Sequence, residues 1–93
     1  MTNGTVNRVL QIVNEKGLHA RASAKFVETV EKFDAEANVS REGMTVSGDS
    51  IMGLLMLAAS RGTEIDVVTS GAQAAELAEA LAALVANRFG EGR

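Results

Sequence analysis

Residues 13–33, VNEKGLHARASAKFVETVEKF, change their hydrophobic period around Gly17. Before the glycine, apolar and polar residues alternate, so a strand is predicted over residues 6–13, with Leu10 and Ile12 on one face. After the glycine, apolar residues recur at helical spacing, which predicts an amphipathic helix. The apolar face of this helix carries Phe26, Val27, Val30 and Phe33. This part of the chain is therefore a strand that leads directly into a helix.

The middle of the chain has the pattern of a β-hairpin. Residues 35–40 alternate between small apolar and polar side chains, as in a half-buried strand. Glu42 and Gly43 predict a tight turn into a second strand over residues 44–47. A further alternating segment predicts a strand over residues 63–70. Together with the first strand, these segments make four.

Two more helices are predicted, one on each side of the last strand. Residues 51–60, IMGLLMLAAS, end at Arg61-Gly62, a cation followed by a glycine that is typical of a helix C-terminus. The final helix has apolar residues at i, i+4, i+7 and i+8 from Leu77 in an alanine-rich background, and it stops before Gly90. Residues 91–93 are predicted to fray.

The predicted order of elements is βαββαβα. This order favours an α+β fold, an open-faced sandwich in which three helices pack on one face of a four-stranded antiparallel sheet. A chain of 93 residues suffices for one small core and not for two, so a single domain over residues 1–93 is expected. About residues 5–89 should be ordered, between short flexible termini.

The composition argues against several classes of function. Hydrophobic residues make up 46% of the chain, and no apolar stretch approaches the ~20 residues that a membrane helix needs. The net charge of −3 and the absence of Trp and Tyr argue against a nucleic-acid partner. With one histidine and no cysteine, a metal site is not expected. We expect a cytoplasmic protein that uses no cofactor and no membrane.

The single histidine, His19, lies where the first strand ends and the first helix begins. The first turn of a helix presents unpaired N–H groups, here including those of Ala20 and Ala22, and the positive end of the helix dipole, which together bind anions. Arg21 adds a guanidinium whose shape matches phosphate oxygens. These groups suit phosphoryl transfer to the imidazole. The alternative is a structural histidine beside a solvated arginine.

The helix over residues 51–60 is almost entirely apolar, so it has more apolar surface than one core-facing side can bury. The predicted buried face consists of Leu54, Leu57 and Ala58. The predicted exposed residues are Ile51, Met52 and Leu55. An exposed apolar patch that contains methionine is typical of a protein–protein contact. The alternative is that a second copy of the chain or a loop covers this helix.

Ser50 immediately precedes this helix and is predicted to be its N-cap, accepting a hydrogen bond from an amide of the first turn. A phosphate on Ser50 would be tolerated by the helix dipole and would place negative charge beside the apolar patch. Ser50 is therefore a candidate regulatory site, which would block partners electrostatically with little refolding.

Two stretches, GLHARASAKFV (residues 17–27) and GDSIMGLLMLAASRGTEI (residues 48–65), resemble in order and spacing the two signature regions of the HPr family. Proteins of this family are the small phosphocarriers of the bacterial phosphoenolpyruvate-dependent phosphotransferase system. The resemblance covers about residues 6–89 and implies the family's βαββαβα open-faced sandwich. It also implies a protein that is not an enzyme but a co-substrate in two successive phosphoryl transfers.

The resemblance also implies roles for individual residues. His19 matches the histidine that is phosphorylated on Nδ1 by phospho-enzyme I and then passes the group to a histidine of an enzyme IIA protein. Arg21 matches the arginine that holds the phosphoryl group, and Ser50 matches the serine modified by HPr kinase/phosphorylase. The docking surface for partners corresponds to Ile51, Met52 and Leu55. The family further implies a monomer.

Three departures from the family pattern bear on function. Ala22 stands where most members have proline, and it retains an N–H that can face the phosphate. Asp49 replaces a common lysine before the regulatory serine, which reverses the charge that a kinase would meet beside Ser50. Glu28 and Glu31 replace positive charge that often borders the site, so the partners' surfaces should differ from those of a sugar-transport system. LHARASAKFV (residues 18–27) resembles the variants of regulatory phosphorelays, including the nitrogen-related branch, more than the others, and sugar transport stays open. A different class of function stays open, a non-catalytic interaction module that binds through residues 51–60.

Overall fold

The computed structural model describes residues 4–93, and the predicted flexibility before residue 4 lies outside them. The elements are β1 (Gly4–Gln11), α1 (Ala20–Glu31), β2 (Glu36–Arg41), β3 (Met44–Ser47), α2 (Ile51–Met56), β4 (Glu64–Gly71) and α3 (Ala74–Ala86). This is the predicted βαββαβα order, followed by a turn of 3-10 helix over Arg88–Gly90. Within residues 4–93, no helix combines the length and apolar character needed to cross a membrane.

The four strands form one antiparallel sheet in the order β1-β4-β2-β3. Strand β4 lies between β1 and β2, with Leu10 opposite Ile65 and Val39 opposite Val67. Strands β2 and β3 form the predicted hairpin, and the two residues of its turn have positive φ angles of 50° and 84°. Two positive φ angles are the mark of a type I′ turn, whose twist matches that of the flanking strands.

The core lies between the sheet and the three helices, which cover one of its faces as predicted. Helix α3 packs on β1 and β4, and α1 contacts both α2 and α3. The completely buried side chains include Phe26, Ile65, Leu81 and Phe89. Burial of a side chain of this kind contributes about 1.5–3 kcal/mol. The core therefore holds α1, which carries the histidine at its N-terminus, against the sheet.

Helix α2 ends at Met56, so the prediction that it extends to about residue 60 and is capped by Arg61-Gly62 is wrong. Ala58 has a left-handed backbone with a φ of 52°, which ends the helix. The guanidinium of Arg41 donates a hydrogen bond of 3.1 Å to the carbonyl oxygen of Leu57, the C-cap residue of the helix. The helix therefore ends at the left-handed Ala58, beside a contact from β2, and not at a glycine.

The early end of α2 also changes its buried face. Leu54 and Leu57 are buried as predicted, whereas Ala58 is exposed and Ala59 is buried in its place. The reversal at Ala58 turns the carbonyl oxygen of Ala59 toward the loop before α1, where it accepts a hydrogen bond of 2.9 Å from the N–H of Leu18. The segment after α2 therefore supports the loop that presents the histidine.

The chain after α3 folds back toward the start of α1. Arg88 and Phe89 both have a φ of 55°, and the Phe89 side chain is completely buried. The Nζ atom of Lys25 donates a hydrogen bond of 2.7 Å to the carbonyl oxygen of Phe89. These contacts lead residues 91–93 past the histidine loop. The predicted fraying of these residues concerns their motion and stays a prediction, but their position was not foreseen.

Candidate functional site

His19 is the N-cap residue of α1 and has an extended backbone, with φ −81° and ψ −176°. Its carbonyl oxygen accepts a hydrogen bond of 2.8 Å from the N–H of Ser23, the first of the helical ladder. The N–H groups of Ala20, Arg21 and Ala22 precede that ladder and are donors for an anion. The imidazole is 27% exposed, so a partner protein can reach it.

The residues of the first turn differ in what they can offer an anion. Ala22 is completely buried, so only its backbone N–H can face a phosphate, whereas Ala20 is exposed. Arg21 is exposed and lines an open cleft of about 380 Å³. The other residues of the cleft are Glu15, Lys16, Glu91, Gly92 and Arg93. The structure thus brings the predicted phosphate-binding residues to one helix terminus, and their binding of phosphate stays a prediction.

A tight loop from Asn14 to Gly17 positions the histidine. The N–H of Gly17 donates to the carbonyl oxygen of Asn14 (3.2 Å), and Nδ2 of Asn14 donates back to the carbonyl oxygen of Gly17 (2.8 Å). Gly17 has a φ of 68°, and a Cβ atom on it would lie 2.5 Å from the carbonyl oxygen of Ala59. Only glycine fits both the backbone angle and the space. The loop is therefore fixed from both sides before it reaches His19.

The structure adds Glu91 to the site, a residue that the sequence did not indicate. Its Oε2 atom forms a hydrogen bond and ion-pair contact with Nε2 of His19. Its Oε1 atom accepts a hydrogen bond of 3.0 Å from Nδ2 of Asn14. The Glu91 side chain is only 16% exposed. No periodicity or motif marks a residue that reaches His19 across 72 positions of sequence.

The environment of the Glu91 carboxylate favours its ionised form. Burial by itself raises the pKa of Glu91, but hydrogen bonds from Asn14 and His19, with the charges of His19 and Lys16, outweigh burial and lower the pKa below its ordinary value of 4.5. The carboxylate is therefore ionised near pH 7. An ionised carboxylate can only accept hydrogen bonds, so Nε2 of His19 must carry the proton between them.

Ser50 occupies the N-cap position of α2, and its Oγ atom accepts a hydrogen bond of 3.0 Å from the N–H of Gly53. The predicted capping role is confirmed. Asp49 lies directly before it and accepts a hydrogen bond of 2.5 Å from the hydroxyl of Ser47. The modification of Ser50 stays a prediction.

The exposed apolar surface of α2 differs slightly from the predicted one. Ile51 and Met52 are exposed as predicted, and the exposed fraction of Met52 is 70%. Leu55 is half-buried instead of exposed, whereas Met56, which the sequence analysis did not include, is 62% exposed. Met52 and Met56 are four residues apart and lie on the same side of the helix. We call Ile51, Met52 and Met56 the α2 patch.

A partly exposed histidine at a helix N-terminus, followed by an arginine and the first-turn amides, is on this fold the arrangement expected of a small histidine phosphocarrier. The family model described as "PTS HPr component phosphorylation site" matches residues 6–87. The chain belongs to the HPr family of phosphocarrier proteins of the phosphotransferase system, which carry a phosphoryl group and are not enzymes.

Individual relatives agree with this assignment. The chain is 49% identical over 83 residues to the phosphocarrier protein HPr of Neisseria meningitidis, covering 89% of this chain and 93% of that one. It is 36% identical over 88 residues to the phosphocarrier protein NPr of Escherichia coli, covering 94% and 98%. The crystal structure of HPr-C-His from Thermoanaerobacter tengcongensis superposes with a TM-score of 0.90 at 34% identity, covering 95% of this chain and 99% of that one.

Proposed function

We propose that His19 accepts a phosphoryl group on Nδ1 from phospho-enzyme I and passes it to a histidine of an enzyme IIA protein. The observation that carries this proposal is the placement of the ring. It stands partly exposed at the N-terminus of α1 and bonds to Glu91 through Nε2. That bond leaves Nδ1 as the nitrogen with a lone pair for attack on phosphorus. Membership of the HPr family supports the same assignment.

The transfer needs positioning and charge stabilisation more than covalent chemistry from the protein. The Nδ1 lone pair attacks phosphorus in line while the bond from phosphorus to the donor nitrogen breaks, and its electron pair returns to the donor. The three phosphoryl oxygens then face the first-turn amides of Ala20, Arg21 and Ala22 and the guanidinium of Arg21. The reverse sequence of bond changes delivers the group to the enzyme IIA histidine.

The α2 patch is the proposed docking surface for enzyme I and enzyme IIA proteins. Its three exposed side chains lie on a helix that contacts α1, the helix that carries His19. Ser50 caps the same helix, so a phosphate added by HPr kinase/phosphorylase would place negative charge next to the patch. We place the protein in the cytoplasm as a monomer.

The recipient belongs either to a sugar-transport system or to a regulatory phosphorelay. Identity is higher to the HPr of Neisseria meningitidis than to the NPr of Escherichia coli, which supports the former. The acidic residues Glu28 and Glu31 on the exposed side of α1 support the latter. A pull-down of the phosphorylated protein with enzyme IIA proteins of both kinds distinguishes the two.

The direct test is incubation with enzyme I and phosphoenolpyruvate, followed by intact mass and phosphorus NMR. We expect one acid-labile phosphate, absent from His19→Ala. In Arg21→Ala transfer should slow by about tenfold or more, because one stabilising group is lost, while Arg61→Ala, which changes another exposed arginine, should behave as wild type. No gain of phosphate with an enzyme I shown to be active on another carrier would overturn the proposal.

The α2 patch also supports a second function, that of an interaction module in which His19 has no chemical role. This alternative predicts that His19→Ala leaves partner regulation intact and that Met52→Asp abolishes it. The phosphocarrier proposal predicts that both variants fail to pass phosphate to a recipient.

A further inference from the structure

A run of hydrogen bonds with a fixed direction connects the backbone of the loop before α1 to the imidazole. The carbonyl oxygen of Gly17 accepts from Nδ2 of Asn14 at 2.8 Å. The same Nδ2 atom donates its second proton to Oε1 of Glu91 at 3.0 Å. The other carboxylate oxygen, Oε2, contacts Nε2 of His19. These groups, outside the first-turn phosphate site, meet the ring on the side opposite Nδ1.

The backbone carbonyl of Gly17 determines which groups donate and which accept in this run of hydrogen bonds. A carbonyl oxygen can only accept, so the amide of Asn14 must turn its NH₂ group toward Gly17. The Oδ1 atom of Asn14 then points the other way, where it is buried and has no partner among residues 4–93. A buried polar atom without a partner costs about 1–3 kcal/mol. The fold tolerates that cost and thereby presents Asn14 to Glu91 as a donor.

The tail after α3 holds the carboxylate in place from the other side. The buried ring of Phe89 anchors it, and Nζ of Lys25 bonds to the carbonyl oxygen of the same residue. Beyond Glu91, the carbonyl oxygen of Arg93 accepts a hydrogen bond of 3.0 Å from the N–H of Glu15. The backbone on both sides of Glu91 is therefore held by contacts that do not involve His19.

We propose that Asn14 and Glu91 are positioning residues that fix the tautomer of His19, keeping the proton on Nε2 and the lone pair on Nδ1. This inference rests on the proposed function, because it explains which nitrogen of His19 takes the phosphoryl group. During transfer the bond from Nδ1 to phosphorus forms as the bond from phosphorus to the nitrogen of the phosphoryl donor breaks. The proton stays on Nε2. The Glu91 carboxylate offsets the positive charge that the ring gains, and no further reactant is needed.

The substitution Glu91→Gln distinguishes this role from a merely structural one. If Glu91 only pins the tail, glutamine keeps the same shape and both hydrogen bonds, so it should behave better than alanine. If Glu91 fixes the tautomer, glutamine should be worse than alanine. Because Asn14 is held by Gly17 and donates toward residue 91, the side-chain oxygen of the glutamine must face Asn14. The NH₂ group of the glutamine then faces Nε2 of His19. A donor at that place forces the proton onto Nδ1 and removes the nucleophile.

The experiment uses the full chain with ¹⁵N-labelled histidine, in wild type, Glu91→Gln, Glu91→Ala and the control Glu15→Gln. The side chain of Glu15 lines the same cleft but makes no hydrogen bond to Asn14, Glu91 or His19, and the substitution leaves its backbone N–H, which bonds to Arg93, unchanged. Long-range ¹H–¹⁵N spectra at a pH where the ring is neutral report which nitrogen carries the proton. We expect the Nε2–H form in wild type and in the control, the Nδ1–H form in Glu91→Gln, and a mixture in Glu91→Ala.

The rate of phosphoryl uptake from phospho-enzyme I should fall most in Glu91→Gln, by about 100-fold or more because the wrong nitrogen carries the proton, and less in Glu91→Ala. A wild-type tautomer and rate in Glu91→Gln would overturn the inference, as would a greater loss in alanine than in glutamine. The NMR result requires no partner protein. If the tautomers change as expected and the wild-type chain takes up no phosphate, the proposed function fails and the assignment of Asn14 and Glu91 stands.

Discussion

The N–H of Leu18 donates a hydrogen bond of 2.9 Å to the carbonyl oxygen of Ala59, which joins the histidine loop to the segment leaving α2. The next residue along the chain from Leu18 is His19, and Ala59 lies just beyond the helix that carries the α2 patch. This one backbone hydrogen bond therefore connects the loop of the proposed phosphoryl acceptor, His19, to the helix of the proposed docking surface. Gly17 makes this approach possible, because its missing side chain leaves room for the Ala59 carbonyl.

Replacement of Gly17 by alanine should test this contact. The new Cβ would lie 2.5 Å from the carbonyl oxygen of Ala59 and 2.9 Å from the Cα atom of Ser60, and the residue has a φ of 68°. We expect a loss of about 2–3 kcal/mol in the free energy of unfolding, measured with urea, and slower phosphoryl uptake at His19.

Gly43→Ala is the matched control, because Gly43 has a φ of 84° and a Cβ there meets nothing within 4 Å. It should lose only about 1–2 kcal/mol from backbone strain and keep its rate of phosphoryl uptake. Equal losses of stability in the two variants would show that the contact with Ala59 is unimportant.

A second prediction concerns the left-handed residue that ends α2. Ala58 is exposed and has a φ of 52°, a conformation that glycine adopts without steric strain. We expect Ala58→Gly to raise the free energy of unfolding by about 0.5–1 kcal/mol, since the relief of strain exceeds the entropy that glycine adds to the unfolded chain. Ala83→Gly, at an exposed position inside α3, should instead lower it by about 1 kcal/mol. A destabilised Ala58→Gly would contradict the strain at this position.

The misjudged end of α2 shows where prediction from sequence reaches its limit. The order of elements, the hairpin and the cap at Ser50 follow from local patterns of period, turn and capping residues, and all are confirmed. The end of α2 coincides with the left-handed Ala58 and with a hydrogen bond from Arg41 to Leu57, and no local pattern contains either feature. The helical pattern there continues past the point where tertiary structure ends the helix.

The same limit applies to the site. His19 and Arg21 could be found because they lie at a helix start whose position the hydrophobic period predicts. Asn14 and Glu91 meet only after the chain has folded back from α3, and they are 77 positions apart in the sequence. A carboxylate near the end of a chain has no local signal that distinguishes it from a solvated one. Its role becomes visible only through the buried contacts of the tail.

The lowered pKa of Glu91 predicts a dependence of stability on pH. A carboxyl group whose folded pKa is depressed contributes stability that is fully present above its unfolded pKa, here 4.5, and is lost as pH falls through the folded pKa. Glu91→Ala should therefore be less stable than wild type near pH 7, and the difference should shrink as the pH falls below 4.5. Urea unfolding of both proteins across this range measures it. A difference that grows in acid would mean that Glu91 is not stabilised in its ionised form.

The last prediction concerns docking through the α2 patch. Met52 is 70% exposed, and a lysine at this place would introduce a charge that must lose its water in any apolar interface. We expect Met52→Lys to weaken binding to enzyme I by about tenfold or more, as loss of a central interface residue does, while the free energy of unfolding stays within about 0.5 kcal/mol of wild type. Val9→Lys is the matched control, because Val9 is also an exposed apolar residue but lies on β1, in the sheet and outside α2. Titration calorimetry with enzyme I measures both variants. Equal binding by Met52→Lys and wild type would remove the α2 patch from the docking surface, and equal weakening by the two variants would point to a nonspecific effect of charge.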